Sequence, residues 1–149
     1  MKIESVVHKD LNKIYKLEKQ TFGNDAFSKD MLSKLITQDA FFLKLVLNKK
    51  IIGFIIALHD EKDRINIINL LISKQYRRNG YGTILLKRSI DIFKKLDEID
   101  RIVLNVKVTN SIAIDLYRKF NFKIVDEVEN YYSQMENAYL MELKLYNFL

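Results

Sequence analysis

The stretch Arg77-Arg78-Asn79-Gly80-Tyr81-Gly82 sets two arginines and two glycines between an apolar run, Ile65 to Ser73, and an amphipathic one, Tyr81 to Leu96. Where a strand turns into a helix, glycines let the backbone approach a ligand closely. The N–H groups of the first helical turn then point outward, unpaired, with the helix dipole behind them. Such a turn cradles an anion, and arginines add charge-assisted hydrogen bonds of the kind phosphate oxygens accept. A dinucleotide fingerprint would need a third glycine where Thr83, Ile84 and Leu85 stand, and a P-loop would need Gly-Lys followed by Ser or Thr, which the chain lacks. An ordinary glycine-containing turn with two exposed arginines has the same composition, so pattern alone leaves both readings open.

Nucleophiles and metal ligands are scarce. The chain has no cysteine, which removes thiolate nucleophiles, disulfides and cysteine-type zinc sites together, and its two histidines, His8 and His59, are isolated. No metal site is expected. His59 beside Asp60 could accept a proton, although a histidine at a strand end is more often simply half-exposed. Tyr117 could act as an acid, or it could pack on a helix face four residues from Ala113. Tyr131 and Tyr132 could stack on bases, yet no Lys or Arg lies between Ile124 and Leu143 to hold a phosphate backbone, so nucleic acid is not expected there.

Charge is distributed unevenly. Of 149 residues 25 are basic and 19 acidic, a net charge of +6. Lys74 to Lys95 carries seven basic residues against the single acid Asp91, and the remainder of the chain balances. Ile124 to Leu143 carries five acids and no Lys or Arg. A basic segment suits a phosphate-bearing ligand and an acidic one a cationic partner, while Lys94 and Lys95 also simply complement the end of a helix dipole.

The elements that must position these residues follow from apolar periodicity. Lys2 to Val7 reads as a short strand, after which Asp10 can cap a helix carrying Leu11, Ile14, Tyr15, Leu17 and Glu18. Ser28 can cap a second helix with Met31, Leu32, Leu35 and Ile36 as its stripe, the Phe22 to Phe27 segment forming the loop between. Phe41 to Leu47 and Ile51 to Leu58 read as a hairpin around Asn48, Lys49 and Lys50, with the next break at Asp60 to Arg64. Ile65 to Ser73, Tyr81 to Leu96 (Ile84, Leu85, Ile92, Phe93 and Leu96 inward) and Arg101 to Val108 make a strand, helix, strand unit whose strands should lie parallel. A helix over Ser111 to Phe120, capped by Asn110 and ended at Asn121, precedes two strands, Phe122 to Val128 and Ala138 to Leu145, around the loop Glu129 to Asn137. The expectation is one domain over residues 1–149, of the α+β (mixed α/β) class, with helices on both faces of a central mixed sheet. No apolar run approaches the ~18 residues that span a bilayer, and Met1-Lys2-Ile3-Glu4 is unlike a secretion signal, so a cytoplasmic protein without a membrane partner is expected.

Three segments taken together resemble the GNAT superfamily of N-acetyltransferases. The glycine turn is similar to that family's Q/R-x-x-G-x-G/A element after the fourth strand. Asn110-Ser111-Ile112-Ala113-Ile114-Asp115-Leu116-Tyr117-Arg118-Lys119-Phe120-Asn121-Phe122 resembles its S/N-N-x-x-A-I-x-L-Y-x-K-x-G-F element, and Asn130-Tyr131-Tyr132 with Ala138-Tyr139-Leu140-Met141 resembles the ending of protein N-terminal acetyltransferases. Phe22 and Phe27-Ser28 are similar to the Phe-Pro-Trp-Ser region of the RimI type, the ribosomal-protein alanine acetyltransferases. The resemblance implies the GNAT fold, a mostly antiparallel sheet of about six or seven strands. It also implies acetyl-CoA as donor and CoA as product. The diphosphate would lie on Arg77, Arg78, Asn79, Gly80, Tyr81, Gly82 and Thr83, and the pantetheine amides along Leu70, Leu71 and Ile72. Asn110 and Tyr117 would also meet the cofactor, Tyr117 as the acid that protonates the departing thiolate, while Phe27, Tyr131 and Tyr132 would flank the acceptor.

Attack of an amine on a thioester needs the amine neutral, the carbonyl oxygen stabilised and the sulfur protonated as it leaves. A tyrosine of pKa about 10 is a reasonable acid for a thiolate of pKa about 8.5. The strand position that RimI-type enzymes fill with Glu is Asn105 here, which cannot take a proton but can orient a water through its carbonyl. An α-amine titrates near 7.7–8.0 and a lysine near 10.4, so the α-amine offers roughly 300-fold more neutral nucleophile at pH 7. Asn105 therefore favours an α-amino acceptor, a protein N-terminus such as that of a ribosomal protein. The competing expectations are a small-molecule amine acetyltransferase, for a polyamine or an aminoglycoside, and a non-catalytic ribosome- or nucleic-acid-associated module.

Overall fold

In the computed structural model, which describes residues 1–132 and 135–145, these runs become β1 (Lys2–Ser5), α1 (Leu11–Phe22), α2 (Lys29–Thr37), β2 (Phe41–Leu47), β3 (Lys50–Glu61), β4 (Arg64–Ile72), α3 (Tyr81–Lys94), β5 (Arg101–Lys107), α4 (Ser111–Lys119), β6 (Lys123–Val128) and β7 (Ala138–Lys144). The strands hydrogen-bond in the order β1-β2-β3-β4-β5-β7-β6. The β4/β5 pair is parallel, and β1/β2, β2/β3, β5/β7 and β6/β7 are antiparallel. The expected mixed α+β architecture is what the chain adopts. Among the described residues no helix is long and apolar enough to cross a membrane. The chain gathers into two compact units, residues 1–58 with 68–88 and residues 59–67 with 89–149. Of the predicted loop Glu129 to Asn137, residues 133 and 134 lie outside the described residues, as do 146–149 of the expected domain.

In the first unit α1 buries Ile14, Leu17 and Glu18 at helical spacing and stops at Gly23, whose φ of 54° suits a residue without a Cβ. Ser28 caps α2 as predicted, its Oγ accepting from the Met31 N–H at 3.1 Å. The stripe, however, is Leu32 and Leu35, and Met31 is exposed. Asp10 does not cap α1 through its side chain; it closes a short 3-10 turn, His8–Asp10, where Oδ2 accepts from the Val7 N–H (2.9 Å) and pairs with Lys44 at 2.7 Å. The β2/β3 hairpin turns on Asn48 and Lys49 alone, both at positive φ (50° and 65°), with Leu47 facing Lys50. That is the backbone twist a two-residue hairpin requires, and it makes the turn shorter than the sequence suggests. Phe42 and Phe54, with ring centroids 5.6 Å apart, anchor a core shared with Val6, Ile14, Leu17, Leu32, Leu35, Ile56 and Leu71.

In the second unit β5 is paired on both edges, Arg101–Leu104 against Arg64–Ile67 and Arg101–Lys107 against Ala138–Lys144. A strand so placed is largely apolar between its charged ends, Asn105 excepted, and Ile102, Val103, Leu104 and Val106 are all buried. The α4 cap is as predicted, Asn110 Oδ1 accepting from the Ala113 N–H at 3.2 Å. At its far end Asn121 takes a φ of 72°, its N–H reaching the Arg118 carbonyl and the Phe122 N–H that of Tyr117. This left-handed stop brings Phe122 back onto Tyr117. The buried positions of α3 are Leu85, Leu86, Ser89, Ile90 and Phe93, whereas Ile84, Ile92 and Leu96, expected inward, are half-buried. The outer strand β6 exposes every residue except Val128.

Candidate active site

The first unit holds the phosphate-type turn. The parallel ladder between β4 and β5 ends at Ile67 and Leu104, and β4 runs on through Ile68–Ile72. Leu71 enters the core while Leu70 and Ile72 are half-buried. On its other side β4 lies so close to β3 that a Cβ on Gly53 would fall 2.5 Å from the Leu71 carbonyl oxygen and 2.6 Å from Ile72 Cδ1. Only glycine fits that approach.

Beyond Ser73 and a 3-10 turn over Lys74–Tyr76 the chain reaches the glycine motif. Arg78 (φ 65°) and Gly80 (φ 81°) both take left-handed conformations, and the Gly80 carbonyl accepts the first helical bond of α3, from the Ile84 N–H at 3.1 Å. The N–H groups of Tyr81, Gly82 and Thr83 therefore stand in the helix turn that has no internal acceptors. No atom lies within 4 Å of where a Gly80 side chain would begin. Three of the expected cofactor residues also build the turn itself. Arg77 donates from Nε to the Ile72 carbonyl at 2.7 Å, Asn79 donates to the carbonyls of Tyr76 and Arg77 (3.2 and 3.1 Å), and Tyr81 lies edge-on to Tyr76 at 6.5 Å. Arg78 and Thr83 are exposed.

Phe27, the expected acceptor-side residue of this unit, is half-buried and packs against the core. Its N–H donates to Glu18 Oε2 at 2.9 Å, and Glu18 Oε1 accepts from the side-chain amide of Asn69 on β4. Burial pushes the Glu18 carboxyl above the ordinary value against the pull of these two donors. Neither Glu18 nor Asn69 stands out as a site residue from the sequence. The available signal is a carboxylate on the apolar stripe of α1 and an amide inside the apolar run of β4.

The second unit gathers the other expected residues. Asn105 on β5 donates from Nδ2 to the Tyr131 hydroxyl at 3.3 Å. Tyr131 packs edge-on against Tyr132, centroids 4.9 Å apart, and is 49% exposed. Lys107, two residues along β5, places its ammonium 5.0 Å from the centre of the Tyr132 ring and 3.2 Å from Glu136 Oε1. It brings to the acidic segment a cation that the segment's own sequence lacks. Tyr117 is buried, in edge-to-face contact with Phe122 at 5.7 Å. Burial pushes its phenol up from the ordinary value, and Tyr132 adds to the effect. Asn110 is engaged as the α4 cap. His59, weighed as a proton acceptor, instead meets the Lys62 carbonyl at 2.9 Å in the β3/β4 hairpin.

The family model for the acetyltransferase (GNAT) family matches residues 8–122. Over 80 residues the chain is 40% identical to an N-alpha-acetyltransferase of Sulfurisphaera tokodaii, covering 54% of this chain and 48% of that protein. It is 34% identical over 119 residues to N-alpha-acetyltransferase 50 of Danio rerio, covering 77% and 68% respectively. The chain thus spans about half the length of the archaeal relative it matches. Among solved structures it resembles the ribosomal-protein-S18-alanine N-acetyltransferase from Escherichia coli, with a TM-score of 0.88 and 26% identity over 99% of this chain and 96% of that one.

Proposed function

The chain belongs to the GNAT family of acetyltransferases, and from that premise we propose that it transfers acetyl from acetyl-CoA to the N-terminal α-amine of proteins, working as one acetyltransferase domain in the cytoplasm. The donor reading rests on one observation above all, the turn that opens α3. Its left-handed Arg78 and Gly80, the unpaired first-turn amides and an open surface over Gly80 together make a diphosphate cradle. Arg78, Thr83 and the amides of Gly80 to Gly82 would hold the diphosphate. Arg77, Asn79 and Tyr81 would keep the cradle in shape, and the continuation of β4 through Leu70, Leu71 and Ile72 offers peptide groups for pantetheine amides.

When bound, acetyl-CoA supplies an activated thioester, and the protein's own groups do the rest. Tyr117 is assigned as the proton donor to the leaving sulfur. Its burial holds the phenol protonated throughout the ordinary pH range, and dry surroundings of that kind also raise the basicity of a thiolate. Asn105, fixed by Tyr131, is assigned as the group that orients the acceptor amine or its water, a role suited to an amine that is partly neutral near pH 7. Asn110 would approach the cofactor from the start of α4. Phe27, Tyr131 and Tyr132 are assigned to the acceptor side. The names of the relatives, N-alpha-acetyltransferases and an S18-alanine enzyme, support an α-amine as acceptor and a ribosomal protein as one class of partner.

The test is incubation of the purified protein with acetyl-CoA and a panel of N-terminal peptides, lysine-only peptides with blocked termini, and polyamines, read by mass. A gain of 42 Da, the acetyl increment, on free α-amines alone is the expected result. Acetylation of polyamines alone, or no coenzyme A binding by calorimetry, would overturn it.

A further inference from the structure

A carboxylate is costly to bury, and Glu18 is 1% exposed. It lies on the core side of α1 between Leu17 and the helix end, and both of its oxygens are engaged. One accepts from the backbone N–H of Phe27, in the segment that leads into α2; the other accepts from the side chain of Asn69, itself 8% exposed, on β4 immediately before Leu70. No cationic side chain is paired with Glu18 among the described residues. The carboxylate therefore does not serve an ion pair. It bridges a backbone amide of the α1/α2 connection to a side chain of β4, all within the first unit.

The segment it holds begins with a 3-10 turn, Gly23–Asp25, which has no buried residue and whose Gly23 carbonyl accepts from the Ala26 N–H. Replacing Glu18 by leucine would satisfy the core but would leave the Phe27 N–H without its partner, so an apolar residue cannot supply the same constraint.

We infer that Glu18 is a positioning residue for the acceptor: with Asn69 it holds the Phe27 backbone in register with the β4 segment that precedes Leu70. Glu18 touches neither acceptor nor donor. This inference rests on the proposed N-acetyltransferase reading, in which Phe27 flanks the acceptor and Leu70 to Ile72 the donor. Its consequence is a selective one. Loss of the bridge frees the Phe27 segment and weakens acceptor binding, while the diphosphate turn, whose bonds run among residues 72–84, is untouched.

The experiment compares wild type with Glu18→Ala, Glu18→Gln, and the double variant Glu18→Gln with Asn69→Asp, measuring KM for an N-terminal peptide and for acetyl-CoA separately, and the exchange rate of the Phe27 amide hydrogen by NMR. The double variant exchanges carboxylate and amide across the bridge. The amide it places on α1 can still accept from the Phe27 N–H through its carbonyl, and can donate to the carboxylate it places on β4. The expected result for Glu18→Ala is a rise of about tenfold in peptide KM, an acetyl-CoA KM within twofold, and faster exchange at Phe27. Both changes should be reversed in the double variant. Equal shifts in the two KM values, an unchanged peptide KM, or no rescue would overturn the inference. If wild type acetylates no peptide, the functional reading fails, and the Phe27 exchange rates then decide the bridge alone: unchanged protection in Glu18→Ala would show that Glu18 does not hold the segment. Glu18→Gln, whose amide can serve both partners once the Asn69 amide turns over, should stay near wild type; should Glu18→Ala not fold, Glu18→Leu, which fills the space without an acceptor for the Phe27 N–H, carries the comparison and should raise peptide KM in the same way.

Discussion

The side-chain amide of Asn105 donates to the hydroxyl of Tyr131, 26 residues further on, across 3.3 Å. A residue of β5 just past the end of its parallel ladder is thereby joined to an aromatic ring that is half exposed. The bond turns the Asn105 side chain into a fixed polar group, and because an amide does not titrate, β5 presents no ionising base at this position.

Replacing Asn105 by alanine should lower kcat/KM for an N-terminal peptide by about tenfold, the worth of one hydrogen bond of ordinary strength. The pH profile should keep its shape. With no ionising base at this position, kcat/KM rises with pH and levels near the pKa of the acceptor amine, about 7.7–8.0. Steady-state rates of wild type and variant from pH 6 to 9 check this, and unchanged turnover in the variant would remove Asn105 from the mechanism.

Tyr117→Phe keeps the ring that packs on Phe122 and removes only the hydroxyl. It should fold with nearly the wild-type melting temperature, yet lose about 10²–10⁴ in kcat, the contribution of a positioned acid. The sign of the pH effect on stability follows from the raised phenol. Folded protein holds the proton where unfolded chain, with a tyrosine pKa of about 10, releases it. Stability from this group is therefore full below pH ~10 and falls as pH climbs beyond it. Alkaline unfolding followed by circular dichroism should begin later in Tyr117→Phe.

Two glycine substitutions separate conformation from charge in the turn. Gly80→Ala meets no neighbouring atom and suffers only from a φ of 81°, so it should lose about 1–2 kcal/mol of stability together with weaker coenzyme A binding. Gly82→Asp sits in the first turn of α3, where an acid is compatible with the helix dipole, so the fold should persist. Its carboxylate would nonetheless repel a diphosphate, and calorimetry should detect no coenzyme A binding.

Lys44→Met should destabilise the protein by about 3–5 kcal/mol, because it leaves the Asp10 carboxylate buried without its cation. Burial alone would raise the Asp10 carboxyl; the Lys44 ammonium and the Val7 N–H outweigh it and hold the group below the ordinary value. A lowered pKa in the folded state means stability that is present above about pH 4, the unfolded value, and is lost as the solution is acidified through the folded one. Acid titrations of the wild type should show this loss, and Asp10→Asn should flatten that part of the curve.

What a reader of the sequence can recover depends on how far apart the interacting groups are along the chain. Ser28 and Asn110 cap their helices, Asn121 ends α4, and the glycine turn precedes α3, because each is decided by bonds spanning a few residues and by the φ values a side chain tolerates. Apolar periodicity likewise locates nearly every strand and helix, since burial of one face is a local pattern. Other outcomes required the folded chain. Asp10 leaves the cap role for Lys44, 34 residues away; Glu18 finds Asn69 across 51; Arg77 turns its Nε back onto the Ile72 carbonyl. Polar groups choose among many possible partners, and the choice is made by which of them the packing removes from water together, a condition that exists only once the strands and helices have met.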